Sequence, residues 1–255
     1  DANNGVIDLG TLAVDGTMAL TTHGTGAATV VNDAGLNFAV STVGGALSAT
    51  ATTGNVAQSG ALAITGVTTI AADSGNNITL NTSTNDFQAA VRITSGNNVT
   101  LVDAGAIDLG ASTVSGTYAV TATAGGDITD SGVLAITSGA TFTVAGGRNI
   151  TLDQSSTFSS TVTFASSGTI ASVEINDSNA FDLKTLTTTG NLTVTAGGNI
   201  TDSGTVTVGG NLAATTDANN GVIDLGTLAV DGTMALTTHG TGAATVVNDA
   251  GLNFA

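Results

Sequence analysis

Three segments, GNVAQSGALAITG (54–66), GDITDSGVLAITS (126–138) and GNITDSGTVTVGG (198–210), recur at an even spacing of 72 and align without a gap. Their apolar columns are Val56/Ile128/Ile200, Leu62/Leu134/Val206 and Ile64/Ile136/Val208. Their turn columns are Ser59/Ser131/Ser203 and Gly60/Gly132/Gly204. Between the turns the chain alternates, as in Leu192-Thr193-Val194-Thr195 and Thr205-Val206-Thr207-Val208. A period of two places apolar side chains on one face and threonines on the other, the pattern of a half-buried strand. Clusters such as Ala196-Gly197-Gly198-Asn199 separate the strands, and Gly, Asn and Ser suit sharp corners.

Working outward, Leu36-Asn37-Phe38 matches Ile107-Asp108-Leu109 and Phe181-Asp182-Leu183, and Asn77-Ile78-Thr79-Leu80 matches Asn149-Ile150-Thr151-Leu152. A longer period encloses these, because positions 1–39 recur unchanged at 217–255. That period of 216 is three times 72, with sub-repeats at about 16–87, 88–159 and 160–231. We therefore expect a single continuous segment, one full repeat plus an overlap, cut from a longer tandem array. Smaller units open at Gly16, Gly45, Gly66, Gln88, Gly116, Gly139, Ser160, Gly190, Gly210 and Gly232. Units this short stack as solenoids, because none can bury its apolar face alone. Helical repeats would need a 3.6-residue period, which is missing, so the expected fold is an all-β parallel β-helix. We expect about nine coils of ~24 residues per 216-residue repeat, a rise of roughly 43 Å at the usual strand spacing.

Composition agrees. The 255 residues include 35 Gly, no Pro, no Cys, no Trp and 3% aromatics, and 9% are charged. Apolar residues make up 41% and mean hydropathy is +0.36, so the chain is not of the disordered class. Small residues fill a thin layered core more readily than a globular one. Proline would break the ladders. The net charge of −16, with only Arg92, Arg148 and Lys184 basic, argues against nucleic acid and anionic membrane surfaces as partners. No apolar run reaches the length of a membrane-spanning helix.

The strings GNLTVTAGGNITDSGTVTVGGNLAATT (190–216) and GTYAVTATAGGDITDSGVLAITSGATFTVAGGRNITL (116–152) resemble the repeats of filamentous-haemagglutinin-like exoproteins. These are large bacterial surface adhesins exported by two-partner secretion, and autotransporter passengers look similar. The resemblance covers essentially the whole chain and rests on repeat style. It implies a right-handed parallel β-helix, an extracellular or cell-surface location and a role as adhesin shaft or fibre. It carries no catalytic residues.

No catalytic, cofactor-binding or metal-binding residue is assigned. His23 and His239 are one repeat position, so no cluster of histidines forms around either. Asp8, Asp108, Asp182 and Asp224 recur at like positions, which reads as architecture rather than as the carboxylate pair of a polysaccharide-cleaving enzyme. Asp127, Asp130 and Asp202 offer turn carboxylates to calcium, but Asn55 and Asn199 replace Asp127 in the sister sub-repeats, so turn capping competes with a metal. The pairs Thr141 and Thr143, Thr161 and Thr163, Thr193 and Thr195, and Thr205 and Thr207 would bind ice only if stacked in register on every coil. Asn77, Asn98, Asn149, Asn191 and Asn199 begin N-x-[ST] sequons, which we read as corner ladders. The chain is expected to be non-catalytic, its partners being identical repeats or protomers stacked end to end. The alternative is a repetitive face that binds a glycan, a host surface or ice.

Overall fold

The computed structural model describes residues 4–217 and 220–255. The chain is an all-β parallel solenoid of about 11 turns, and no helix occurs among the described residues. The strand pairings are parallel, and each ladder steps by one coil, as in Ala28↔Leu47 and Ile150↔Val173. One ladder runs Ile107, Ile128, Ile150, Val173, Leu192, Leu212, Met234. Among the described residues no helix is long and apolar enough to cross a membrane.

Each coil has three faces. In one coil they are Ser112–Val114, Tyr118–Ala122 and Ile128–Asp130, and in the next Leu134–Ile136, Ala140–Val144 and the strand opening at Ile150. We call these the first, second and third faces. Burial alternates as the sequence pattern requires: Tyr118, Val120 and Ala122 point inward while Ala119 and Thr121 point outward. Phe38 and Phe181 of the matched triplets are buried, as is Phe142. Phe142 packs edge-on to Tyr118 at 6.2 Å and to Phe158 at 6.1 Å, and stacks on Phe164 at 6.3 Å.

Coils approach closely at glycine corners. A Cβ on Gly66 would lie 2.5 Å from the Gly45 carbonyl carbon and 2.6 Å from Ala46 N in the coil before. The chain also contains its own control for what buries the core. Ala28 and Val30 are 1% and 0% exposed, whereas Ala244, the copy of Ala28 on the last coil, is exposed. The sequence is the same in both places. The stacked neighbour supplies the burial, worth about 1.5–3 kcal/mol for each large aliphatic side chain.

The coil count corrects the expectation. Ten coils, not nine, separate Ile7 from its copy Ile223, because the ladder positions run through Ala28, Leu47, Thr68, Val91, Ser112, Leu134, Ser156, Asn179 and Ile200. The 216-residue repeat thus has about 22 residues per coil and a rise of ~48 Å. The 72-residue sub-repeat is then three and a third coils, and equivalent residues change face. Val56 lies on the second face, Ile128 on the third and Ile200 on the first. Leu62, Leu134 and Val206 shift in the same way, as do Leu36–Phe38, Ile107–Leu109 and Phe181–Leu183. The unit starts read from sequence are therefore three separate corner stacks. Counting them as one corner omits a third of a coil per sub-repeat, one coil in all.

Two substitutions test the core. The Tyr118 hydroxyl is buried without a partner, since the nearby Ser112 Oγ already donates to Gly110 O and accepts from Ile93 N–H. Tyr118→Phe should raise stability by up to about 1 kcal/mol. Phe142→Ala should cost about 3–5 kcal/mol. Thermal unfolding followed by far-ultraviolet circular dichroism measures both.

Candidate functional site: capped corners and an open groove

The side chains singled out in the sequence stitch one coil to the next. Asn55 Oδ1 accepts from Asn77 N–H at 2.8 Å, Asn77 Oδ1 from Asn98 N–H at 3.1 Å, and Asn98 Oδ1 from Thr117 N–H at 3.0 Å. Asn191 and Asn199 do the same for Asn211 and Val222, and the Asn149 amide donates to Asp127. Each sequon asparagine thus belongs to a corner ladder. Asp127 Oδ1 accepts from Asn149 N–H at 2.9 Å, the role that Asn55 and Asn199 play on the other faces. Asp202 holds Gly226 and Thr227 N–H, each at 2.8 Å. His23 and His239 are exposed, and Nδ1 of His239 meets the Thr216 carbonyl at 2.5 Å. Asp182 and Asp224 share the first face with Thr201 between them, two coils apart, or about 10 Å. Among the described residues no group of three or more His, Cys, Asp or Glu side chains is placed to hold a metal.

The Thr-x-Thr motifs fall mainly on one face. Thr141, Thr143 and Thr163 face outward on the second face, which also carries Thr205 and Thr207, and only Thr193 and Thr195 lie on the third. Ala119 and Ala165 interrupt the second-face rows.

A second set of polar residues, not expected from the sequence, sits at the joints between coils. Asn32, Asp103 and Asp177 occupy one sub-repeat position and are 0%, 1% and 1% exposed. Each caps a backbone N–H of the preceding coil: Val14 at 2.9 Å, Phe87 at 2.7 Å and Phe158 at 3.2 Å. The copy Asn248 caps Val230 at 2.8 Å. At the Asn32 and Asp177 joints, and at the copy Asn248, the ladder slips register and a carbonyl acceptor is lost, so a side-chain oxygen takes its place. Burial pushes the carboxyls of Asp103 and Asp177 up, against the lowering effect of the N–H groups they accept from.

Beside each cap lies a groove between coils. The groove at 14–16 and 34–37 holds about 260 Å³, and the one at 86–89 and 105–108 about 220 Å³. The third, between 158–162 and 177–184, holds about 490 Å³. The first two are closed at the far end by the bridges Met18↔Phe38 and Val91↔Leu109, and the copy by Met234↔Phe254. Among the described residues no such bridge joins Val162 to Leu183. Val162–Ser166 and Phe181–Leu183 are each paired on one side only, and Leu186–Thr188 meets the coil before it only at the bridge Ile170↔Thr188.

Three substitutions explain the opening. Ser41 and Ser112 accept the N–H of Leu20 and Ile93 from the coil before, at 3.0 and 3.1 Å, but Leu186 stands at that position in the third sub-repeat and has no hydroxyl. Lys184 replaces Ala39 and Gly110, where a Cβ on Gly110 would already meet Arg92 Cγ at 2.5 Å. Phe181 is bulkier than Leu36 or Ile107. Lys184 Nζ turns instead to Asp182 Oδ2 at 2.5 Å and Ser203 Oγ at 2.9 Å. Partial burial raises Asp182, but bonds from Lys184, Ser203 and Thr201 outweigh it and hold this carboxyl below its ordinary range.

With fold and grooves in place, the class is defined: a tandem-repeat parallel β-solenoid. A model of repeats of unknown function (DUF5649) matches residues 25–94, 96–165 and 171–225, units close to the 72-residue period, and the chain belongs to that family. No curated protein and no solved structure matches it.

Asp130 gives a pH signature. It lies at the position of Gln58 and Asp202, and its Oδ1 accepts from Asp153 N–H at 2.9 Å. Burial, reinforced by the Asp153 and Asp108 carboxylates and opposed by the Gln154 and Asp153 N–H groups, raises its pKa to about 7, against 3.8 for an ordinary aspartate. The folded chain therefore keeps a proton that the unfolded chain releases. The resulting stability is full below pH ~4 and is lost as pH climbs to ~7. The urea midpoint should fall over that window, and Asp130→Asn should flatten part of the fall. Asp103 and Asp177, also raised by burial, act in the same direction, and Asp182, held low, acts in the opposite one.

Proposed function

We propose that the chain is a section of a stiff shaft in an extracellular bacterial fibre or surface adhesin, with no catalytic role. The observation that carries this reading is the rotation of the sub-repeat. Equivalent residues pass around three faces and return to the starting face after ten coils, so the rod has no unique chemical face along most of its length. Several carboxylates that an enzyme would aim at a substrate hold backbone N–H groups of neighbouring coils instead: Asp103, Asp127, Asp130 and Asp202 each accept at least one. The acidic surface suits solubility in a long filament. The family resemblance stated above supports the secreted, bacterial setting. Alanines weigh against an ice-binding face, because Ala119 and Ala165 interrupt the threonine rows of the second face.

Cryo-electron microscopy of a chain carrying several 216-residue repeats tests the shaft. We expect a thin unbranched rod with a layer line at about 4.8 Å and a weaker periodicity of about 48 Å. Compact particles lacking the first spacing would remove the structural reading. A periodicity of roughly 43 Å would contradict ten coils per repeat.

A further inference from the structure

We propose that the open groove between 158–162 and 177–184 is a binding site for a neutral saccharide. This does not depend on the shaft reading.

The sister grooves share their cap and their loop lengths, with Val14, Phe87 and Phe158 equally far from the bridging position, but they differ in how the cap is used. In the first groove the cap is fully engaged: Asn32 Oδ1 accepts from Val14 N–H while its amide donates to Val14 O and Gly35 O. In the second, Asp103 uses one oxygen for Phe87 N–H and the other for Gly105 N–H. In the third, Asp177 Oδ1 carries both bonds, from Phe158 N–H at 3.2 Å and Asn179 N–H at 3.0 Å. Among the described residues Oδ2 has no partner. This carboxylate, 1% exposed as a whole, lines the cavity, and its second oxygen is free to accept from a donor seated there.

The surroundings narrow the donor. Lys184 opposes a cation and also pairs with Asp182, removing that carboxylate from any metal set. Asp177 opposes an anion. Ser159, Ser160, Thr161 and Asn179 supply further donors and acceptors along the walls, and Val162 and the two phenylalanines supply apolar area. A ligand that is neutral, rich in hydroxyls and apolar on its ring faces matches that set. The volume of about 490 Å³ falls within the range of small-molecule sites, roughly 300–1,000 Å³, whereas the sister grooves at about 260 and 220 Å³ fall below it. The incompletely paired strands along the walls also suggest an extended peptide. A peptide would need ladder spacing on both sides, yet the third face stays continuous through these same coils at Ile150, Val173 and Leu192, so the opening is a wedge closed on one side. A compact ring suits a wedge better than a strand.

The test is an array of neutral and charged glycans probed with the full 255-residue chain, followed by calorimetry with a neutral oligosaccharide that scores on it. Asp177→Asn keeps the cap, as Asn32 shows at the same position, but replaces the free oxygen with an amide donor. It should weaken binding ~10-fold or more, the scale of one lost bond to a charged group, with no loss of melting temperature. Lys184→Gly combined with Leu186→Ser restores the sister pattern and should close the groove and abolish binding. Absence of saturable binding to any neutral glycan by the folded chain would overturn the proposal. So would undiminished binding by both variants. Retention of extended peptides on a parallel peptide array, without glycan binding, would reassign the groove to strand addition.

Discussion

A coil of this solenoid must offer its backbone N–H and C=O groups to the next coil at the parallel-ladder distance of about 4.8 Å, three times around the circuit. No coil has a core of its own, as the contrast between Ala28 and Ala244 makes plain. Small inward residues, threonine outside and glycine where backbones cross are the side-chain terms of that constraint. Wherever a loop lengthens and a carbonyl moves out of reach, the ladder leaves an N–H without a partner. A buried, unpaired donor is costly, so an Asn, Asp or Ser side chain is recruited at each such joint.

This constraint decides what the sequence reveals. The alternation around Val56, Ile128 and Ile200 is enough to read strands and a parallel solenoid, because a period of two with glycine corners has few other solutions. The sequon asparagines are legible as corner ladders for the same reason, since like stacks on like. The number of coils is not legible. A corner at Gly66 and one at Gly139 look alike in sequence, and only the cross-coil pairing shows that they belong to different edges of the prism.

The grooves escape a reading of the sequence because each depends on cross-coil geometry. Asn32, Asp103 and Asp177 are aligned in the sub-repeats, but nothing in their spacing says that the three are buried. The replacement of Ser41 and Ser112 by Leu186, and of Ala39 and Gly110 by Lys184, is readable as a departure from the pattern. Its meaning appears only when the serines are seen holding the N–H groups of Leu20 and Ile93. A broken repeat rule thus locates the joint where the ladder opens on two faces, and the continuous third face keeps the rod intact across it.

The fractional turn per sub-repeat acts as an index on the evolution of arrays of this kind. Gaining or losing one 72-residue unit, the common result of unequal exchange between repeats, would twist everything beyond it by a third of a revolution and carry every groove to a new side. A 216-residue unit can be added or removed with the far end of the rod left in its original orientation. The unchanged recurrence of positions 1–39 at 217–255 has that length. It is the smallest whole number of 72-residue units that lengthens the rod without turning it.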